Sequence, residues 1–161
     1  MSMNTSLSHN YVLDKIKDIK VGIITSQWNN DITLLLKNSC NNFLINAGLK
    51  KNNINNYYVP GSMELVLASD ILLNKKKIDG VIALGCIIKG ETNHDKYISQ
   101  SVCKGLLDVS LKHNLPVIFG VLTTNSKKQA VERAGGKCGN KGEDAAYTFL
   151  KMIEYQNNLN S

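Results

Sequence analysis

DGVIALGCIIKGETNHDKY, Asp79 to Tyr97, decides how the chain folds, because an almost unbroken apolar run stops there at a compact set of polar and titratable residues. Val81 to Ile88 carries β-branched Val81, Ile82, Ile87 and Ile88, which suits a strand buried on both faces. Such strands belong to parallel sheets covered by helices. Lys89, Gly90, Glu91, Thr92, Asn93 and His94 then fall at the strand's carboxyl end, and Ile98, Val102, Leu106 and Val109 follow at helical spacing. His94 is therefore a loop or first-turn residue. In open α/β sheets, ligands bind in the crevice beyond the strands' carboxyl ends, where helix N-termini also present N–H groups. Read alone, the segment is explained equally well by an ordinary βα loop with Thr92 and Asn93 capping a helix.

Working outward, the same alternation recurs. IKVGIIT, Ile19 to Thr25, reads as a first strand ending in Ser26-Gln27-Trp28-Asn29. A helix from about residue 30 to 47 follows, with Ile32, Leu35, Leu36, Cys40, Phe43, Leu44 and Ala47 on one side and Gly48 as its stop. Asn55 to Val59 gives a second strand, broken by Pro60-Gly61, and Ser62 to Leu73 resumes helical spacing through Leu65, Ala68, Ile71 and Leu72. Leu115 to Leu122 is the fourth strand. Helices over about 126–134 and 142–157, joined by a loop from Gly135 to Lys141, close the chain. The order β-α-β-α-β-α-β-α-α predicts a parallel, doubly wound, three-layer α/β/α domain on a four-stranded sheet. Residues 1–17 are polar around a short Tyr11-Val12-Leu13 patch and read as a flexible arm. Residues 18–161 form one domain.

Global properties narrow the function. A length of 161 residues, 43% apolar and 20% charged, suits one ordinary globular core. Cys40, Cys86, Cys103 and Cys138 form no CxxC pair, so neither a disulfide framework nor a zinc ribbon is signalled, and a reducing cytoplasm fits. There is no secretory pattern at the N-terminus and no apolar run of membrane-spanning length, so no membrane partner is expected. The net charge of +6 comes from scattered lysines. Lys75-Lys76-Lys77 is most simply a solvated helix end, so the surplus suits anionic small substrates at least as well as a nucleic acid, which would need a clustered basic face that the sequence does not show.

Candidate site residues are those at the carboxyl ends of the four strands, which share one sheet edge. The first offers Trp28, the only tryptophan, whose face can stack on a flat heterocycle or, equally, staple a helix start. The second offers Gly61, Ser62, Met63 and Glu64; Glu64 can accept from hydroxyls or simply complement a helix N-terminus. The third offers Glu91, Thr92 and His94. The fourth offers Phe119, by default a core residue, and Thr123-Thr124 beyond it. Arg133, an arginine in a Lys-rich chain, suits a bidentate oxyanion fork. GGKCGNKG, from Gly135 to Gly142, superficially like a phosphate loop, lacks the GxxxxGK[ST] pattern and follows a helix. It reads as an irregular turn, with Lys141 an accessory candidate.

Trp28-Asn29, VPGSMEL (Val59–Leu65), ALGCIIKGETNH (Ala83–His94), PVIFGVLTT (Pro116–Thr124) and ERAGGKCGNKGEDAA (Glu132–Ala146) come in one order and spacing. With them the chain resembles the 6,7-dimethyl-8-ribityllumazine synthase family of riboflavin biosynthesis. The resemblance implies a flavodoxin-like fold, pentamer-based homo-oligomers that in some members close into icosahedral shells, and sites between neighbouring subunits. It also implies condensation of 5-amino-6-ribitylamino-uracil with 3,4-dihydroxy-2-butanone 4-phosphate without cofactor or metal, and riboflavin synthase as a partner. Carried over by motif, Trp28 would stack on the pyrimidine. Ser62, Met63, Glu64, Cys86, Ile87 and Ile88 would bind the ribityl chain and uracil edge. Glu91, Thr92 and Arg133 would hold the phosphate, Phe119 would come from the adjacent subunit, and His94 would transfer protons. The family usually has an aromatic and then an acid after this histidine, where here Asp95 and Lys96 stand; the group that orients His94 is therefore left open.

Other readings fit less well. A lumazine- or flavin-binding or shell-forming relative without turnover would be supported by a lost His94, which is present. A flavodoxin-type electron carrier would want a Ser/Thr-rich phosphate loop after the first strand, and SQWNND lacks it.

Overall fold

The computed structural model describes residue 16 and residues 18–159. The expected arm lies outside the described residues except for Ile16, which is buried in the core. Four strands, β1 (Val21–Ser26), β2 (Ile54–Val59), β3 (Gly80–Ile88) and β4 (Val117–Thr124), form one parallel sheet in the order β2-β1-β3-β4. Helices α1 (Asn30–Asn46), α2 (Glu64–Lys75), α3 (His94–His113), α4 (Lys127–Arg133) and α5 (Lys141–Leu159) alternate with and follow them. The expected three-layer, flavodoxin-like architecture is the one found.

Strand β3 lies between β1 and β4, and Gly80 to Cys86 are buried without interruption. One side of the sheet packs on α1 and α5 through Ile23, Ile32, Leu36, Leu84 and Phe149; the other packs on α2 and α3 through Ile24, Leu65, Ala83, Val102 and Leu106. Alternate residues of one strand thus belong to two cores, as period-two side-chain alternation requires. Phe149 is fully buried, and truncating it to Ala costs about 3–5 kcal/mol. Where α5 meets α1, a side chain at Gly142 would collide with the Leu36 backbone, so only glycine permits that approach.

The chain leaves β1 toward β2 on one side and later places β3 on the other side of β1. The carboxyl ends of β1 and β3 therefore flank the sheet's topological switch point, where a crevice opens. Two local features differ from the sequence reading. Gly135 to Lys141 is not a plain loop: Ala134–Gly136 and Gly139–Asn140 pair as a small antiparallel sheet, turned by Gly135 at φ +123 and Gly139 at φ +78. Leu35 and Ile71, read as part of the apolar helical spacing of α1 and α2, are 47% and 43% exposed, so that spacing runs past the covered face.

Candidate functional site

The loop after β1 is built around Asn29. This residue takes the left-handed conformation (φ 57, ψ 45) at the head of α1, which asparagine tolerates better than most residues. Its amide Nδ2 donates to the Cys86 carbonyl oxygen at 3.0 Å, spanning the switch point. Gln27 N–H and Trp28 N–H donate to the Val59 and Pro60 carbonyls at 2.8 and 3.0 Å, so the β1 loop also continues the ladder with β2. Held on both sides, Trp28 stays 70% exposed with its indole beside Gly61. It is not part of the core.

After β2, Glu64 Oε2 accepts from Gly61 N–H at 2.9 Å and so fastens the Pro60-Gly61 turn to the first turn of α2. Ser62 is buried because the neighbouring strand position is glycine: a side chain at Gly85 would stand 2.7 Å from Ser62 Oγ. After β3, His94 is the first residue of α3. Its N–H donates to Thr92 Oγ1 at 3.4 Å, and Asn93 occupies the cap position without a side-chain bond. The imidazole is exposed.

These loops enclose one cleft of roughly 710 Å³. Its walls are Trp28 and Asn29 from the first loop, Pro60 to Glu64 from the second, Cys86 to Ile88 from the end of β3, and Gly90, Thr92, His94, Asp95, Tyr97, Ile98 and Ser101 beyond. Of the residues singled out in the sequence, Trp28, Ser62, Met63, Glu64, Cys86, Ile87, Ile88, Thr92 and His94 line it together. Glu91, Phe119, Arg133 and Lys141 do not. Glu91 is exposed on the loop before α3. Phe119 is half-buried against the α2/α3 core, Arg133 ends α4 in solvent, and Lys141 pairs with Asp144 at 3.2 Å.

Sequence reasoning assigned no site role to Asn29 or Asp95. Asn29 could have been found from its place immediately before a helix start, where a short amide commonly bonds nearby backbone. Asp95 could have been found by extending the apolar spacing of α3 backward by one turn.

The electrostatics set limits on chemistry. Burial, reinforced by the Asp31 charge, pushes the Cys86 thiol up to about 11, so it is a neutral wall rather than a thiolate nucleophile. The Gly135–Asn140 hairpin is no anion cradle, since Lys137 N–H and Cys138 N–H are both taken by Glu132, at 2.8 and 2.9 Å. Among the described residues, no three His, Cys, Asp or Glu side chains cluster as metal ligands would, and no helix is long and apolar enough to cross a membrane.

A doubly wound α/β protein with a largely apolar cleft at its switch point, walled by an exposed tryptophan, two carboxylates and an exposed imidazole, belongs to the class of α/β enzymes whose ligands bind at the carboxyl ends of the strands. The chain belongs to the 6,7-dimethyl-8-ribityllumazine synthase family, whose model matches residues 18–157. A 6,7-dimethyl-8-ribityllumazine synthase of Cytophaga hutchinsonii is 50% identical over 132 residues, covering 82% of this chain and 83% of its own. Those of Porphyromonas gingivalis and Bacteroides fragilis are 46% and 41% identical, over 84% and 88% of this chain and 84% and 99% of theirs.

Proposed function

We propose that this protein condenses 5-amino-6-ribitylamino-uracil with 3,4-dihydroxy-2-butanone 4-phosphate to give 6,7-dimethyl-8-ribityllumazine, phosphate and water. The observation that carries this reading is one cleft at the switch point holding Trp28, Glu64 and His94, each from a different family motif. Trp28 stacks on the pyrimidine ring. Ser62, Met63, Glu64 and the Cys86-Ile87-Ile88 strand end line the ribityl chain and uracil edge. Glu64 already holds Gly61 N–H with Oε2, so its other oxygen is the one a substrate hydroxyl meets.

Schiff-base formation, phosphate elimination, ring closure and dehydration each move protons near neutral pH, the range in which an imidazole both gives and takes one. His94, exposed at the head of α3, is the group for that task. Backbone N–H groups of Glu91 and Thr92 beside the α3 N-terminus, with Arg133, serve the phosphate, which departs more easily when cationic and N–H groups stabilise the dianion, and Lys141 is an accessory residue. Holding two separate substrates together is itself worth roughly 7–11 kcal/mol of the barrier.

The active form is a pentamer-based homo-oligomer, in which a neighbouring subunit supplies Phe119. Support for assembly comes from large apolar side chains left in solvent on α2 and α3, notably Leu67, Ile71, Leu107 and Leu111. By family likeness, the enzyme works in the cytoplasm beside riboflavin synthase. Product formation faster than the spontaneous condensation is the test of this reading.

A further inference from the structure

The stripe that seats α3 on the sheet runs through Ile98, Val102, Leu106 and Val109, all buried or packed against that core. One turn earlier, the same stripe is occupied by Asp95. A carboxylate in the first turn of a helix is common, because it complements the helix dipole, but it does so from the solvent side. Asp95 is half-buried on the core side and lines the cleft. Its Oδ1 is sealed from solvent with no hydrogen-bond partner among the described residues. A buried acceptor left without a donor is costly, and more so when charged. His94 is not the missing donor, since adjacent residues on a helix do not face each other.

We propose that Asp95 is a substrate-binding residue whose carboxylate accepts hydrogen bonds from the amine or hydroxyl groups of the ribitylamino-pyrimidine. This rests on the reaction proposed above and adds to it. With Oδ1 sealed, Oδ2 is the oxygen left to meet a ligand in the cleft, and a donor there also draws charge off Oδ1. The choice of substrate follows from charge. The pyrimidine carries N–H and O–H donors, whereas the butanone substrate carries a phosphate that an unpaired carboxylate repels. Asp95 therefore favours the donor-rich substrate on this wall and keeps the phosphate away from it.

The test titrates the pyrimidine alone into the full-length protein and follows quenching of Trp28, the single tryptophan, for wild type, Asp95→Ala and Asp95→Asn. Binding to Asp95→Ala should be weaker by about tenfold or more, as for loss of a charged hydrogen-bond acceptor. Asp95→Asn, which keeps an acceptor oxygen, should lose less and carries the comparison if the alanine variant does not fold. In turnover, the KM for the butanone phosphate should not rise, since that substrate makes no such bond and loses only a repelling charge. Unchanged pyrimidine binding in the variants, or equal weakening of both substrates, would overturn the assignment. A wild type that neither binds the pyrimidine nor condenses it would instead sink the reaction itself.

Discussion

Asn29 Nδ2 donates to the Cys86 carbonyl at 3.0 Å, so the loop that carries Trp28 is tied directly to the strand end that floors the cleft. This bond crosses the gap between two strands whose following helices lie on opposite faces of the sheet. Its removal should therefore loosen the stacking wall as well as the helix start. Asn29→Ala should destabilise by about 1–2 kcal/mol, from the lost hydrogen bond and a left-handed backbone that alanine tolerates poorly. Asn29→Gly, which relieves the backbone but not the bond, should lose roughly half as much. Equal losses on chemical denaturation would show that the backbone conformation contributes nothing.

Replacing His94 by Ala should lower kcat by roughly ten- to a hundredfold, the low side of general acid–base effects, because the condensation also proceeds uncatalysed. Folding and pyrimidine binding should not change, since the imidazole is exposed and packs no core. Steady-state rates with circular dichroism check both halves of the statement.

Arg133→Ala should raise the KM for the butanone phosphate at least about tenfold more than that for the pyrimidine, as expected for loss of a charge-assisted phosphate contact. Arg133 lies in solvent at the end of α4, so its removal should leave thermal stability unchanged. Equal effects on both substrates would contradict its phosphate role.

Cys86 should resist alkylation at neutral pH while Cys138 reacts. Burial holds the Cys86 thiol at about 11, and Cys138 is exposed on the Gly-rich hairpin. Mass spectrometry after brief iodoacetamide treatment reads the order directly. Comparable labelling of the two would mean that the β3 end is open to solvent.

Asp70 bonds both Lys112 and His113 at 2.8 Å, joining α2 to the last turn of α3, and these partners hold its carboxyl below the usual range. A depressed acid contributes stability above its ordinary pKa, about 3.9, and loses that contribution as the pH falls through the folded value. The Tm gap between wild type and Asp70→Asn should therefore be widest near neutrality and close in acid. A gap independent of pH would show that the ion pair contributes nothing.

What the sequence made legible depended on how far each signal reached. The β3 run and its polar end placed Thr92 and His94 at the sheet edge, because a doubly buried strand and the helix after it leave few other arrangements. The exposed place of Trp28 on the cleft wall was legible, since a tryptophan on a polar loop has no core to enter. The exposure of Leu35 and Ile71 was not, because periodicity marks an apolar face without saying whether this chain covers it. The Gly135–Asn140 hairpin is too short for any periodic signal and depends on two glycines at positive φ and on Glu132. Asp95 was visible as a departure from the family pattern, but its burial on the α3 stripe is a matter of helix rotation that only the fold supplies.

The most direct measurement mixes the purified protein with both substrates and follows the fluorescent lumazine, with His94→Ala in parallel. The account predicts product faster than the spontaneous condensation and a clear loss of rate in the variant. Pyrimidine binding without any acceleration would contradict it and leave the chain a binding or shell-forming member of its family.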